Sequence, residues 1–251
     1  MKGLWRKPLF KYLVITCLLL MLFSPLYMYF SHDVSVLNSQ YPHIKVAKDL
    51  TAEVEFKKGK PSHWVNLNQI SPYGKWAIVL SEDWSFYQHE GVDLEQMKVA
   101  LSEMMEDKRF RGASTITQQM VKNVFLSEFP TLWRKFHEIL IAQKVEKTIS
   151  KNRILEIYLN SIEYGPGIYG IKAAAKHYFK KAPSQISPRE GAFLAMLLPS
   201  PKRYYVSFQK KKLTKFAQFR VKAILKKLRM GKVISPEVYE IEINRKLAWE
   251  N

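Results

Sequence analysis

Apolar and polar positions follow three regimes along the chain. From Tyr12 to Phe30 there is no charged residue, and 19 residues at helical rise match a bilayer's hydrocarbon core. A membrane-spanning anchor is expected there. The run is longer than the apolar part of a cleaved leader and ends in SPLYMYFSHD, without a small-x-small cleavage site. Residues 31–72 mix β-branched and polar positions without a long period, which predicts a connector with a short strand. From Lys75 onward the periods are helical. Trp76 to Leu80 forms a buried segment that ends at the acidic pair Glu82 and Asp83. Gly91 breaks the chain, and Asp93 with Gln96 has N-cap spacing for a helix from Leu94 to about Asp107, expected to bury Leu94, Met97, Leu101 and Met104 or Met105.

Thr115 and Gln118 repeat that spacing, so TITQQMVKN should open a helix with Ile116, Met120 and Val124 inward and Gln118 and Lys122 together on one face, beside Gln119 and Asn123. After Pro130 comes a long amphipathic helix whose apolar positions include Leu132, Phe136, Ile139, Val145 and Ile149. Asn152 is the expected cap of RILEIYLN, and a turn-rich loop from Gly165 to Gly170 leads into IKAAAKHYF. Ser187-Pro188-Arg189-Glu190 combines a capping box with proline at the first helical position, opening a helix of mostly core residues that ends at Pro199. Lys202 to Lys232 carries twelve Lys or Arg and no acid, with Leu213, Ala217, Val221, Ile224 and Leu228 at helical spacing, and predicts a basic amphipathic helix.

Composition sharpens this division. At 251 residues and 47% hydrophobic the chain can bury a real core, and its net charge of +18 requires an anionic partner: nucleic acid, an acidic lipid surface or a phosphate-bearing substrate. Lys2, Arg6, Lys7 and Lys11 precede the apolar run without an acid, which holds residues 1–11 in the cytoplasm as a basic tail and exports everything after the 12–30 anchor. Nucleic acid is thereby the least favoured partner. Cys17 lies inside the apolar run, so neither a disulfide framework nor a cysteine metal site is expected. The expected layout is a 31–72 connector, a 73–205 core and a basic helical region over 206–251.

The core holds a candidate site. RGASTITQQMVKN is dense in small polar side chains, a poor way to build a core and a good way to line a cleft. Glu82 and Glu138 are 56 residues apart, and two carboxylates from distant segments are the usual equipment for making or breaking a glycosidic bond. Glu138 follows Lys135 and Arg134 by three and four residues, so both cations lie one helical turn from it, and with Lys122 they could clamp a diphosphate. The plainer alternative for each is a solvated surface charge. For His89 a hydrogen-bonded structural role outweighs catalysis, since no partner spacing suggests a triad or metal set.

EDWSFYQHEGVD, GASTITQQMVKN, RKFHEILIAQKVE, RILEIYLN and GIYGIKAAAKHYF together resemble the peptidoglycan glycosyltransferases of glycosyltransferase family 51, in order and spacing, over roughly Lys75 to Pro201. The resemblance implies a mainly α, lysozyme-like fold that polymerises lipid II into glycan strands at the outer face of the cytoplasmic membrane, releasing undecaprenyl diphosphate. It implies Glu82 as the general base on the acceptor's 4-hydroxyl and Glu138 as the second catalytic glutamate, near the donor diphosphate. Asp83, Ser114, Gln118, Gln119, Lys122, Arg134 and Lys135 fall on substrate-cleft positions, and Arg220 on a distal phosphate-binding arginine. No cofactor is required by the sequence; a divalent Mg or Mn ion is compatible with it. Expected partners are lipid II, the growing strand, the membrane and other cell-wall synthesis proteins, and the chain leaves no room for a transpeptidase domain after Trp249.

Two positions depart from the pattern: Pro130 stands where the family usually has arginine, eight residues after Lys122, and Lys180 where it usually has glycine. The loss of the arginine removes a diphosphate contact and supports the alternative of a catalytically weak or inactive member acting as a lipid-diphosphate scaffold. A lysozyme-type hydrolase is the third reading, disfavoured because hydrolysis needs no diphosphate clamp.

Overall fold

The structure, a computed structural model, describes residues 11, 12, 14–16, 32–106, 112–126 and 132–251. The fold is mainly helical. A 3-10 turn at Val34–Asn38 precedes strands β1 (Tyr41–Val46) and β2 (Ala52–Lys57). Eleven described helices follow: α1 Pro72–Glu82, α2 Leu94–Met105, α3 Ile116–Phe125, α4 Leu132–Thr148, α5 Lys151–Ser161, α6 Ile171–Phe179, α7 Pro188–Leu197, α8 Pro201–Tyr204, α9 Val206–Gln209, α10 Lys215–Met230 and α11 Pro236–Asn244. A bulged two-strand ribbon, β3 (Glu163–Gly165) and β4 (Ile168–Tyr169), joins α5 to α6.

Two helix groups make the core. In one, α7 lies against α1 and α10; every residue of α7 is buried. This close crossing depends on Gly191, where a Cβ would stand 2.6 Å from the carbonyl oxygen of Tyr73. In the other, α3 packs on α4 and α5. Ile116, Met120 and Val124 face inward, as the period predicts, and Val121 is buried beside them. The predicted caps at Asp93, Thr115 and Ser187 are present.

Several expectations are corrected. The connector holds a full antiparallel hairpin, with Tyr41 opposite Lys57 and Val46 opposite Ala52, rather than one short strand. In α2, Leu94 is 64% and Met97 36% exposed, and Ala100 is buried instead. Residues 94–99 are exposed, while Leu101, Met104 and Met105 fall outside the described side chains. Phe136 is 42% exposed because the inward stripe of α4 runs through His137, Glu138, Ile141, Ala142, Val145 and Ile149. The inner face thus carries the charge. Ser150, not Asn152, caps α5, its hydroxyl accepting from the Arg153 amide. Lys202 to Lys232 is broken into α8, α9 and α10, with Thr214 capping the last; Leu213, Ala217, Val221, Ile224 and Leu228 are buried as expected. Of the expected anchor, residues 13 and 17–30 lie outside the described residues, as do Arg111 and Pro130; among the described residues no helix is long and apolar enough to cross a membrane.

Motif residues also hold the connector. Asn160 Oδ1 accepts from the Val65 amide at 2.8 Å while its Nδ2 donates to the Val65 carbonyl at 2.9 Å. Glu156 accepts from Trp64 Nε1 and the Leu67 amide. Within RILEIYLN, Glu156 and Asn160 thus clamp residues 64–67, while Arg153 donates to the Leu37 and Gln40 carbonyls.

Candidate active site

The candidate site is assembled from the end of α1, the start of α3, the first turns of α4 and the side of α10. Helix α1 ends at Glu82, and its last carbonyls are tied down by Lys227 of α10, whose Nζ donates to the carbonyls of Leu80 at 2.7 Å and Ser81 at 3.3 Å. A cation at a helix C-terminus meets both the open carbonyls and the negative end of the dipole. Glu82 is half-buried. Its Oε2 accepts from Gln119 Nε2 at 3.0 Å. Burial pushes its carboxyl above the usual carboxylate value, although Gln119, Arg220 and Lys227 pull the other way; the nearby Asp83 adds to the rise. Such a carboxylate can take a proton.

Asp83 plays a different part from its neighbour. It is buried, its Oδ2 accepts from the Ile116 amide at 2.9 Å, and His89 Nε2 lies 2.9 Å from its Oδ1. It fixes the first turn of α3 from outside the helix, and a carboxylate there also meets the positive end of the helix dipole. His89 serves this contact, in the structural role expected of it. Gln118, too, is turned inward: its Oε1 accepts from the Thr115 amide to close the capping box. The structure thus brings Asp83 and Gln118 to the site's foundation, beneath the residues that face the cleft. Gln119 is held on both sides, since Tyr158 Oη donates to its Oε1 at 2.9 Å.

On α4, Glu138 is buried and paired twice, with Lys135 Nζ 2.9 Å from Oε2 and Arg134 Nε 3.2 Å from Oε1. The i+3 and i+4 spacing read from the sequence is realised. Lys135 Nζ also donates to Ser114 Oγ at 2.7 Å, linking this helix to the loop before α3. Lys122 completes the set. It is solvent-accessible, but the surrounding protein strips part of its hydration, and this, with Arg134 and Lys135 close by, lowers its pKa; Glu138 and Glu82 oppose the shift. Because Lys122 feels both glutamates, it stands between them electrostatically. Arg220 is part-buried and acts on Glu82, so α10 adds a cation on the base's side.

The sequence reading missed Lys227 and Tyr158. Lys227 stands seven residues after Arg220, two turns along the same face, and Tyr158 is a phenol in a fully buried helix segment, where its hydroxyl needs a partner. Among the described residues no group of three or more His, Cys, Asp or Glu could hold a metal ion.

Comparison with known proteins gives the family. The family model described as Transglycosylase matches residues 48–229. The chain is 42% identical over 171 residues to the biosynthetic peptidoglycan transglycosylase of Nitrosomonas eutropha, covering 68% of each chain. It is 47% identical over 143 residues to the protein of the same name from Laribacter hongkongensis, covering 57% of this chain and 62% of that one. With the Alcanivorax borkumensis protein of that name it shares 48% over 142 residues, 56% and 58% of the two chains. The alignments thus span 58 to 68% of these relatives' own lengths. With a family model covering most of the chain and relatives above 40% identity, the chain belongs to the transglycosylase family.

Proposed function

We propose that this chain is a peptidoglycan glycosyltransferase that polymerises lipid II into linear glycan strands with release of undecaprenyl diphosphate. The single observation that carries the reading is the pairing of a proton-affine Glu82 with a cationic cluster around Glu138, joined through Lys122. The acceptor's 4-hydroxyl oxygen bonds to the donor's anomeric carbon as that carbon's bond to the diphosphate oxygen breaks. Glu82 takes the hydroxyl proton, and the diphosphate leaves with the bonding electron pair. Lys122, Arg134 and Lys135 meet the charge that gathers on the leaving oxygens, and a site in which they are already in position needs little reorganisation. Glu138 holds Arg134 and Lys135 in place. Both its oxygens are engaged by these cations, so a Mg or Mn ion that assists would arrive on the substrate diphosphate. The helical core is read as lysozyme-like, carried on an N-terminal anchor with the cleft on the outer side of the cytoplasmic membrane. The relatives' printed names support the reaction class.

Polymerisation of lipid II by the purified chain tests this reading. Glu82→Gln should abolish product while lipid II binding persists, and Glu138→Gln should cost at least about a hundredfold. A Glu82→Gln protein that polymerises at the parental rate would remove the base assignment. A parent that never polymerises where a relative does would leave the scaffold reading in its place.

A further inference from the structure

The hydroxyl of Tyr158 has no part in the reaction above, yet it is joined to the base by two hydrogen bonds. Tyr158 is fully buried at the centre of α5. Its Oη donates to Gln119 Oε1 at 2.9 Å, and Gln119 Nε2 donates to Glu82 Oε2 at 3.0 Å. A carboxamide can present either its oxygen or its NH2 to a neighbour, and only the surrounding partners decide which. Here the ionised carboxylate, which only accepts, takes the NH2, and the phenol, which can donate or accept, answers by donating to the oxygen. Burial keeps the phenol's proton in place, so its hydroxyl is available to hold the Gln119 oxygen. The NH2 group is then committed to Glu82. A flipped amide would set its oxygen against Glu82 Oε2, a contact that is favourable only when Glu82 is already protonated and useless as a base.

We propose that Tyr158 is a positioning residue for glycosyl transfer: by holding Gln119 Oε1 it aims the Gln119 NH2 at Glu82, which orients the base and favours its ionised, proton-accepting form. This rests on the reading of Glu82 as the base. The groups that face Glu82 are Asp83 at the end of its own helix, Gln119 and Lys122 from α3, Tyr158 from α5, and Arg220 and Lys227 from α10. Removing the Tyr158 hydroxyl leaves the three cations in place and releases only the amide. Glu82 then holds its proton more tightly, and the acid limb of kcat/KM moves to higher pH.

The experiment is lipid II polymerisation by the full chain, followed as a pH profile, with Tyr158→Phe, Gln119→Leu and the double variant. Tyr158→Phe should lose about tenfold at neutral pH and shift its acid limb upward. Gln119→Leu should do the same, and the double variant should be no worse than Gln119→Leu alone, because the two residues act in series. A parental profile for Tyr158→Phe, or multiplicative losses in the double variant, overturns the proposal. If Tyr158→Phe does not fold by circular dichroism, Gln119→Glu carries the test. Its carboxylate accepts from Tyr158 but has no N–H for Glu82, so a parental acid limb in that variant is also fatal. Should Glu82→Gln be inactive while Tyr158→Phe is parental, the positioning role alone fails; an active Glu82→Gln removes the base reading itself.

Discussion

Glu82 and Glu138 are the same side chain used in opposite ways. Glu138 lies deeper but is paired with two cations, whereas Glu82 has one amide donor and more distant charges against the cost of burial. For Glu82, burial wins. A carboxyl with a raised folded pKa binds its proton more tightly in the folded state, so its stabilisation is complete below the ordinary glutamate value of 4.5 and is lost as pH rises through the raised value. At neutral pH the parent therefore carries the cost of a partly desolvated charge. Glu82→Gln never ionises and keeps an oxygen for Gln119. It should be more stable than the parent at neutral pH, with a higher Tm, and the gap should close as pH falls below the ordinary carboxylate range. Thermal unfolding of both proteins across that range checks the sign; a variant less stable at neutral pH would mean that Arg220 and Lys227 outweigh burial. The i+3 and i+4 partners of Glu138 were legible from spacing. The environment of Glu82 was not, because Gln119, Tyr158 and Lys227 reach it from three other helices.

At the scale of elements, most local signals were read correctly, with the cap of α5 at Ser150 rather than Asn152 as the exception. The caps at Asp93, Thr115 and Ser187 need only a side chain and an amide three residues on, and all three form. Burial was harder, since it depends on what another element covers: α2 leaves Leu94 and Met97 exposed, and Phe136 yields the inner face to Glu138. The departure at Lys180 lies between these cases. It ends α6 in the left-handed region with φ of 58°, its amide donating to the Lys176 carbonyl at 3.1 Å. A residue with a Cβ is strained there by about 1–2 kcal/mol, partly offset by glycine's greater freedom when unfolded. Lys180→Gly should therefore stabilise the protein by about 0.5–1 kcal/mol in urea unfolding, with little change in activity. Destabilisation would show that the lysine side chain contributes more than its backbone costs.

At the scale of the molecule, α10 faces two ways. One side packs Ala217, Val221, Ile224 and Leu228 into the core and carries Lys227 and Arg220 to Glu82, while α11 and the chain end fold back over the same group. There Arg189 is bound by the carbonyl of Glu242 at 3.0 Å, and Trp249 packs on Phe193 and Phe208. The apolar period of α10 was legible; the break that separates it from α8 and α9 was not, because it is made by a left-handed turn at Lys211 and the tertiary burial of Leu213, after which Thr214 caps α10. The other side exposes Lys215, Lys222 and Lys226 with Phe216 and Phe219, the latter 68% exposed. Cations interleaved with aromatic rings suit an anionic bilayer surface, where each lysine is worth about 1 kcal/mol and salt screens the attraction. Replacing Lys215, Lys222 and Lys226 together by Gln should weaken binding to vesicles containing anionic lipid by about a hundredfold at low salt. It should leave neutral vesicles and the unfolding transition unaffected, since none of the three is buried. The loss should shrink as salt is added. If the triple variant binds anionic vesicles as tightly as the parent at low salt, α10 does not face the membrane, and the excess positive charge on this helix serves the substrate diphosphate alone.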